Sequence, residues 1–299
     1  MAGYLFAHFI GDDGDGEQIY FSLSKDGLHW SDLNNGEIVL RSTIGEKGAR
    51  DPFLIRDDKK RKYYLIATDL RIAAGKGWGV AQYEGSRDML IWESEDLVKW
   101  SDVRAVTIGV EGAGCVWAPE CIYDEVKGKF MVFWASMIKL EGDTEPKQRI
   151  YASYTEDFRD FSEPFVYIEC ENHVIDTTMV YDNGWYYRFS KDETTKKIRM
   201  DKSNSLDKDS FKQVEVKLLD ELFGLEGPEI YKLPDGRWCL IADQFATHKG
   251  YLPMICTSLE KADFEIATEY DLGKNKKRHG GVLELTDVEM ECISKFYNK

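Results

Sequence analysis

The chain has 299 residues, 43% of them hydrophobic and 13% aromatic, enough to bury a sizeable core, and no stretch reads as disordered. Its formal charge of -15 argues against nucleic acid, whose phosphates demand clustered Lys and Arg, and the one basic cluster, "KNKKR" at 274–278, reads as a solvated loop. No run of eighteen apolar residues is present to span a membrane, and the opening "MAGYLFAHFIGDDGDG" lacks the basic region and long apolar stretch of a secretory signal. Cys115, Cys121, Cys170, Cys239, Cys256 and Cys292 form no C-x-x-C pair and lie mostly in apolar strand-like runs, so free thiols and a cytoplasmic address are expected.

From the N-terminus, "YLFAHFI" and "QIYFSLS" read as strands around the acidic "GDDGDGE" at 11–17. That loop is no EF-hand, because Gln18 stands where the sixth position from Asp13 requires Gly; a polar hairpin loop is expected. "SKDGLHW" from Ser24 then opens a series of seven-residue segments that begin with Ser or Thr and end in an aromatic. The others are "SEDLVKW" from Ser94, "TEDFRDF" from Thr155, "SLDKDSF" from Ser205 and "SLEKADF" from Ser258. Their starts lie 50 to 70 residues apart, too long for a helical solenoid and about right for a four-stranded propeller blade.

A second series interleaves with the first. "ARDPFLI" carries Asp51, "WAPECIY" Glu120, "VIDTTMVY" Asp176, "LEGPEIY" Glu226 and "RHGGVLEL" His279. In each a polar residue precedes a short apolar strand; in the first four a turn and an aromatic-rich strand such as "YYLIATD" or "RWCLIAD" follow. His279 has only twenty residues after it and no Ser/Thr segment, whereas "SKDGLHW" has no strand head before it. The two orphans complete each other, so "GGVLEL" is expected to join the N-terminal strands in one blade and close a five-bladed all-β propeller. The inner strands of a propeller line its central channel, which would gather four carboxylates and a histidine at one mouth. Repulsion among buried carboxylates keeps one protonated beside an ionised neighbour, the pairing that glycoside hydrolysis uses.

In this order, "RDPFLIR", "WAPE", "VIDTTMVY", "EGPEIYK" and "RHGGVL" resemble glycoside hydrolase family 43 over nearly the whole chain. The resemblance implies one propeller domain over residues 1–299, similar to the α-L-arabinofuranosidases and β-xylosidases. It implies that Asp51 is the general base, that Asp176 raises the pKa of the acid and orients it, and that Glu226 is the general acid. An inverting mechanism follows from it, with acid and base roughly 6.5–9.5 Å apart to admit a water. Thr177 replaces the proline common after the third-motif Asp, and Glu120 stands where aspartate is common; neither change removes a catalytic carboxylate.

Around these, Glu120, Trp117, Arg278 and His279 are expected to bind substrate, and Trp78, in the "GKGWGV" insertion, to form a sugar-stacking wall. His279 is the candidate ligand for a structural cation such as calcium in the channel; no cofactor is required for the chemistry. His8, His29, His173 and His248 lack an i,i+4 partner or a Cys neighbour and read as structural. A non-catalytic carbohydrate-binding propeller would not need acids at successive strand heads. A sialidase would need several arginines and a Tyr nucleophile. A retaining fructan hydrolase would need an upstream Asn-Asp-Pro-Asn motif that is missing. The expected partner is an oligosaccharide, with release of terminal α-L-arabinofuranosyl units favoured over β-xylosidase or dual activity.

Overall fold

The structure, a computed structural model, describes residues 2–297. Among these, twenty strands form five four-stranded antiparallel sheets. Blade I holds β4 (Arg50–Asp57), β5 (Lys62–Thr68), β6 (Asp88–Ser94) and β7 (Arg104–Thr107). Blade II holds β8 (Trp117–Asp124), β9 (Lys129–Ile138), β10 (Lys147–Thr155) and β11 (Phe165–Ile168). Blade III holds β12 (Val174–Asp182), β13 (Trp185–Asp192), β14 (Lys197–Ser203) and β15 (Lys212–Val214). Blade IV holds β16 (Glu226–Lys232), β17 (Trp238–Asp243), β18 (Tyr251–Cys256) and β19 (Glu265–Ile266). Blade V is shared between the two ends of the chain: β20 (Gly280–Leu285) pairs with β1 (Gly3–His8), which pairs with β2 (Tyr20–Ser24) and then β3 (Trp30–Asp32).

The expected closure is therefore observed, with Leu5 opposite Leu283 and Phe6 opposite Val282. The innermost strands β4, β8, β12, β16 and β20 each touch the next, and β20 returns to β4. Five apolar clusters fill the five gaps between neighbouring sheets. Leu5 and Phe21 meet Leu65 and Leu90 across blades V and I. Ile66 and Ile91 meet Val132 and Trp134, and Phe133 meets Ile175. Phe189 and Met200 meet Leu240 and Met254, and Tyr4 and Phe6 meet Ile241 and Tyr251. Each such side chain contributes about 1.5–3 kcal/mol through burial, so the ring is held by its seams rather than by one central core.

Each Ser/Thr segment joins the third strand of a blade to the fourth. Ser24 Oγ accepts from Gly27 N–H at 2.9 Å and Asp26 Oδ1 from His29 N–H at 2.8 Å. The same pair of turns recurs at Ser94 and Asp96 and at Thr155 and Asp157. The fourth residue of each takes positive φ at Gly27, Leu97 and Phe158.

Among the described residues three short α-helices decorate the ring: α1 (Gly77–Tyr83) in the insertion between β5 and β6, α2 (Lys217–Glu221) between blades III and IV, and α3 (Asp287–Tyr297). The strand repeat does not anticipate α3, but Thr286-x-x-Glu289 is a capping box: Glu289 N–H donates to Thr286 Oγ1 and Thr286 N–H to Glu289 Oε2. Glu289 also pairs with Arg56 at 2.7 Å, tying α3 to blade I.

The ring closes tightly where β20 passes β4. A Cβ on Gly281 would lie 2.9 Å from Phe53 Cδ2 and 3.1 Å from Phe53 Cα. Gly281→Val is expected to destabilise the fold by about 1–3 kcal/mol through overpacking, read as a lower urea midpoint with an unchanged m-value. An unchanged midpoint would mean that the closure seam is not packed as described.

Candidate active site

Strands alternate in direction within each blade, so the heads of the innermost strands share one end of the ring with the links between second and third strands. The Ser/Thr segments lie at the other end. At the first end is a cavity of about 360 Å³ lined by Asp51, Asp176, Glu226, Trp78, Trp117, Arg278 and His279, together with Arg50, Gln148, Lys191, Phe245 and His248 among others. Seven of the eight expected site residues thus meet there.

Local backbone geometry aims two of the carboxylates. Near its start each of β4, β8, β12 and β16 carries a bulge, with the ladder slipping between Arg50 and Phe53, Trp117 and Glu120, Ile175 and Thr177, and Glu226 and Glu229. The bulged residues are Asp51, Ala118, Asp176 and Gly227, at φ 49°, 46°, 50° and 53°. A bulge re-aims its side chain, and here it presents Asp51 and Asp176 to the cavity. This register corrects the expected equivalence of strand heads. Glu226 precedes its bulge and Glu120 follows its own, so Glu120 corresponds to Glu229. Glu120 is 3% exposed, does not line the cavity and lies below it, beside His279. Glu120 therefore lies outside the lining residues among which it was expected.

Asp51 is held as an acceptor. Thr68 Oγ1 accepts from Ala118 N–H at 2.8 Å, which leaves its proton to donate to Asp51 Oδ2 at 2.8 Å. Burial works against the Asp51 carboxylate, but His279 and Arg50 overcome it and hold the group below the usual aspartate range. Asp176 accepts from Gly227 N–H at 3.1 Å, and burial among Glu226 and Asp51 pushes it up to about 6 despite His279 and Lys191. Glu226 accepts from Lys191 Nζ at 2.8 Å and Arg278 Nη2 at 3.0 Å, one on each oxygen.

His279 sits at the centre of this group. Its Nδ1 lies 3.5 Å from Asp51 Oδ1 and 4.0 Å from Asp176 Oδ1, and its Nε2 3.9 Å from Glu120 Oε1. Burial disfavours the charged ring, but Asp176, Asp51 and Glu120 push its pKa well above that of free imidazole. Among the described residues no three His, Cys, Asp or Glu side chains are arranged to hold a metal ion. Calcium takes six to eight oxygens, whereas an imidazole with carboxylates at both nitrogens occupies this centre, so the residues do not fit the expected channel cation. Below it Glu229 accepts from Thr178 Oγ1 and Val282 N–H, and burial raises both Glu120 and Glu229 above the usual range.

The walls are aromatic and cationic. Trp78 on α1 meets Trp117 edge-on at 6.1 Å, and Arg50, 5% exposed, stacks on Trp78 and Phe9 while pairing with Glu17 at 2.9 Å. Phe245 and His248 approach from the link between β17 and β18, so His248 joins the cavity wall rather than the structural histidines. His8 is structural as expected, buried and bonded to Ser22 Oγ and the Phe9 carbonyl.

Residues 1–291 match a glycosyl hydrolase family 43-related model, described as a probable glycosyl hydrolase domain. The chain belongs to this family of glycoside hydrolases. An α-L-arabinofuranosidase of Bifidobacterium longum subsp. longum is 30% identical over 290 residues, covering 82% of this chain and 27% of that protein. This chain thus spans about a quarter of its curated relative's length. Two solved structures share the fold: an endo-1,4-β-xylanase from Bacteroides thetaiotaomicron VPI-5482 (TM-score 0.60, 14% identity, 93% of each chain) and a putative exo-β-1,3-galactanase from Bifidobacterium bifidum s17 (TM-score 0.60, 12% identity, 92% and 90%).

The buried cluster makes stability depend on pH with a definite sign. Glu120, Glu229 and Asp176 have raised pKa values and Asp243 is pushed up to about 6 by burial, so the fold keeps protons that the unfolded chain releases above about pH 4. His279, raised too, keeps its proton in the fold beyond the unfolded imidazole's range. Through this cluster the native state binds more protons across about pH 4–8 and stability falls as pH rises through that window, while His8 and His173, whose pKa values burial lowers, oppose it below about pH 6.5. The melting temperature is expected to drop between about pH 5 and pH 8, with a smaller drop in Glu120→Gln, which removes one titrating group. Equal drops in both proteins would contradict the assignment.

Proposed function

We propose that this protein is an inverting, exo-acting glycoside hydrolase that releases terminal α-L-arabinofuranosyl units from hemicellulose oligosaccharides of the arabinoxylan or arabinan type. The observation that carries the reading is the meeting of Asp51, Asp176 and Glu226, from three different blades, around one cavity whose floor is filled by buried His279, Glu120, Thr178 and Glu229. The choice of arabinofuranose is supported by the name of the Bifidobacterium relative.

In this scheme Asp51, ionised at neutral pH, takes a proton from water as the water oxygen bonds to the anomeric carbon. The glycosidic C–O bond breaks with its electron pair passing to the leaving oxygen, which takes a proton from Glu226. The two carboxyls exchange protons with solvent before the next turnover: Asp51 releases its proton and Glu226 regains one. Asp176, fixed by the Gly227 amide, lines the cavity with both and is the proposed positioning residue for the acid. Arg50, Lys191 and Arg278 offset the negative charge around the cavity, consistent with a neutral sugar. The indoles of Trp78 and Trp117 offer faces on which sugar C–H groups pack.

Side-by-side assay on 4-nitrophenyl α-L-arabinofuranoside, 4-nitrophenyl β-D-xyloside and the matching oligosaccharides tests the substrate. The arabinofuranoside is expected to have the larger kcat/KM; a larger value for the xyloside would reassign the protein as a β-xylosidase. The roles separate by leaving group. Glu226→Gln is expected to lose roughly 10²–10⁴-fold on oligosaccharides and less on the nitrophenyl glycoside, whose nitrophenolate departs without a proton. Asp51→Asn is expected to fail on both. Equal losses on both substrates in Glu226→Gln would remove it as the acid.

A further inference from the structure

Lys191, the penultimate residue of β13, lies at the cavity wall and is only 2% exposed. Its ammonium lies 2.8 Å from Glu226 Oε2 and 2.6 Å from Glu193 Oε2, with the Phe245 ring 4.2 Å away on a further side. Glu193 is itself tied to Lys196, and Asp176 adds its field. On the far oxygen of Glu226 sits Arg278, which is also bound to Asp243 and near His279 in the same wall. The acid–base scheme uses none of the Lys191 contacts, yet a buried ammonium needs an anionic partner at every stage of turnover.

That requirement conflicts with a proton donor at Glu226. A carboxyl next to an ammonium favours its ionised form, and protonating it would leave the ammonium unpaired if it had no other partner. Glu193 supplies the other partner from the same short segment. We propose that Lys191 is a positioning residue that divides its charge between Glu226 and Glu193, fixing the Glu226 carboxylate after proton transfer and relying on Glu193 while Glu226 holds its proton. This rests on the reading of Glu226 as general acid. The proton itself moves as already described, from solvent to Glu226 to the leaving oxygen, and Lys191 stays an ammonium throughout. Burial opposes that charge, but Glu226, Asp176 and Glu193 raise the Lys191 pKa above its ordinary value.

Two substitutions push the balance in opposite directions. Without the ammonium, Lys191→Met favours the protonated acid, so the alkaline limb of kcat/KM on oligosaccharides is expected to move up by about one pH unit. Glu193→Gln leaves Lys191 with Glu226 as its near partner, so the same limb is expected to move down by about as much, with oligosaccharide turnover reduced more than that of the nitrophenyl glycoside. Lys191→Arg, which keeps the charge, should hold the limb near the parent position. A merely structural lysine would lower activity in both variants without moving the limbs apart. Limbs that superimpose on the parent, or that shift in one direction in both variants, overturn the proposal. The Glu226→Gln comparison of leaving groups separates this from failure of the acid assignment: if that comparison shows leaving-group dependence while the two limbs stay together, only the role of Lys191 falls.

Discussion

Four left-handed kinks organise the site. Asp51, Ala118, Asp176 and Gly227 each interrupt an inner strand at nearly the same φ, a conformation that costs a non-glycine residue about 1–2 kcal/mol and that Asp tolerates better than most. Side chains alternate around the ring in consequence. Blades I and III place an aspartate at the kink, and blades II and IV a small residue whose amide serves the neighbouring aspartate. Gly227 N–H reaches Asp176 directly; Ala118 N–H reaches Asp51 through the Thr68 hydroxyl. Gly227 is also confined from outside, since a Cβ there would stand 2.5 Å from His279 Cγ. The backbone thus orients both aspartates before any ligand enters, and strain at the kinks is offset by the packed seams between blades.

The second constraint is charge. A chain of formal charge -15 gathers Asp51, Asp176, Glu226, Glu193 and Asp12 around one cavity, but Arg50, Lys191, Arg278 and His279 stand among them. His279 separates the upper aspartates from the Glu120 and Glu229 pair beneath. This division leaves Asp51, Asp176 and Glu226 at the cavity and the Glu120 and Glu229 pair buried in the scaffold.

Much of this was legible beforehand because a propeller writes its architecture as repetition. Two interleaved series and two orphan halves were enough to infer five blades and the mixed closing blade, since each feature has a local cause: a Ser/Thr turn after a third strand, a polar head before a first. Register was not legible to the same degree. "WAPE" and "EGPE" align Glu120 with Glu229, not with Asp51, because each glutamate follows its strand's bulge, whereas a strand-head rule treats every first acid as equivalent. Lys191, Thr68 and Phe245 were missed for a different reason. They come from second strands and the links that follow them, where a lone lysine in "WYYRFSK" or a threonine in "YYLIATD" carries no pattern, and only the ring brings them to the carboxylates. Spacing along the sequence has no bearing on His248, which the link between β17 and β18 delivers to the cavity.

The central claim is that Asp51 and Glu226 act from opposite sides of the anomeric carbon, one on water and the other on the leaving group. Proton nuclear magnetic resonance of the first product, recorded before mutarotation, tests it most directly. From an α-L-arabinofuranoside the first signal should be that of β-L-arabinofuranose, the inverted anomer. Initial appearance of the α anomer would mean a covalent intermediate and a nucleophile among these carboxylates, and would contradict the assignment of Asp51 as a base.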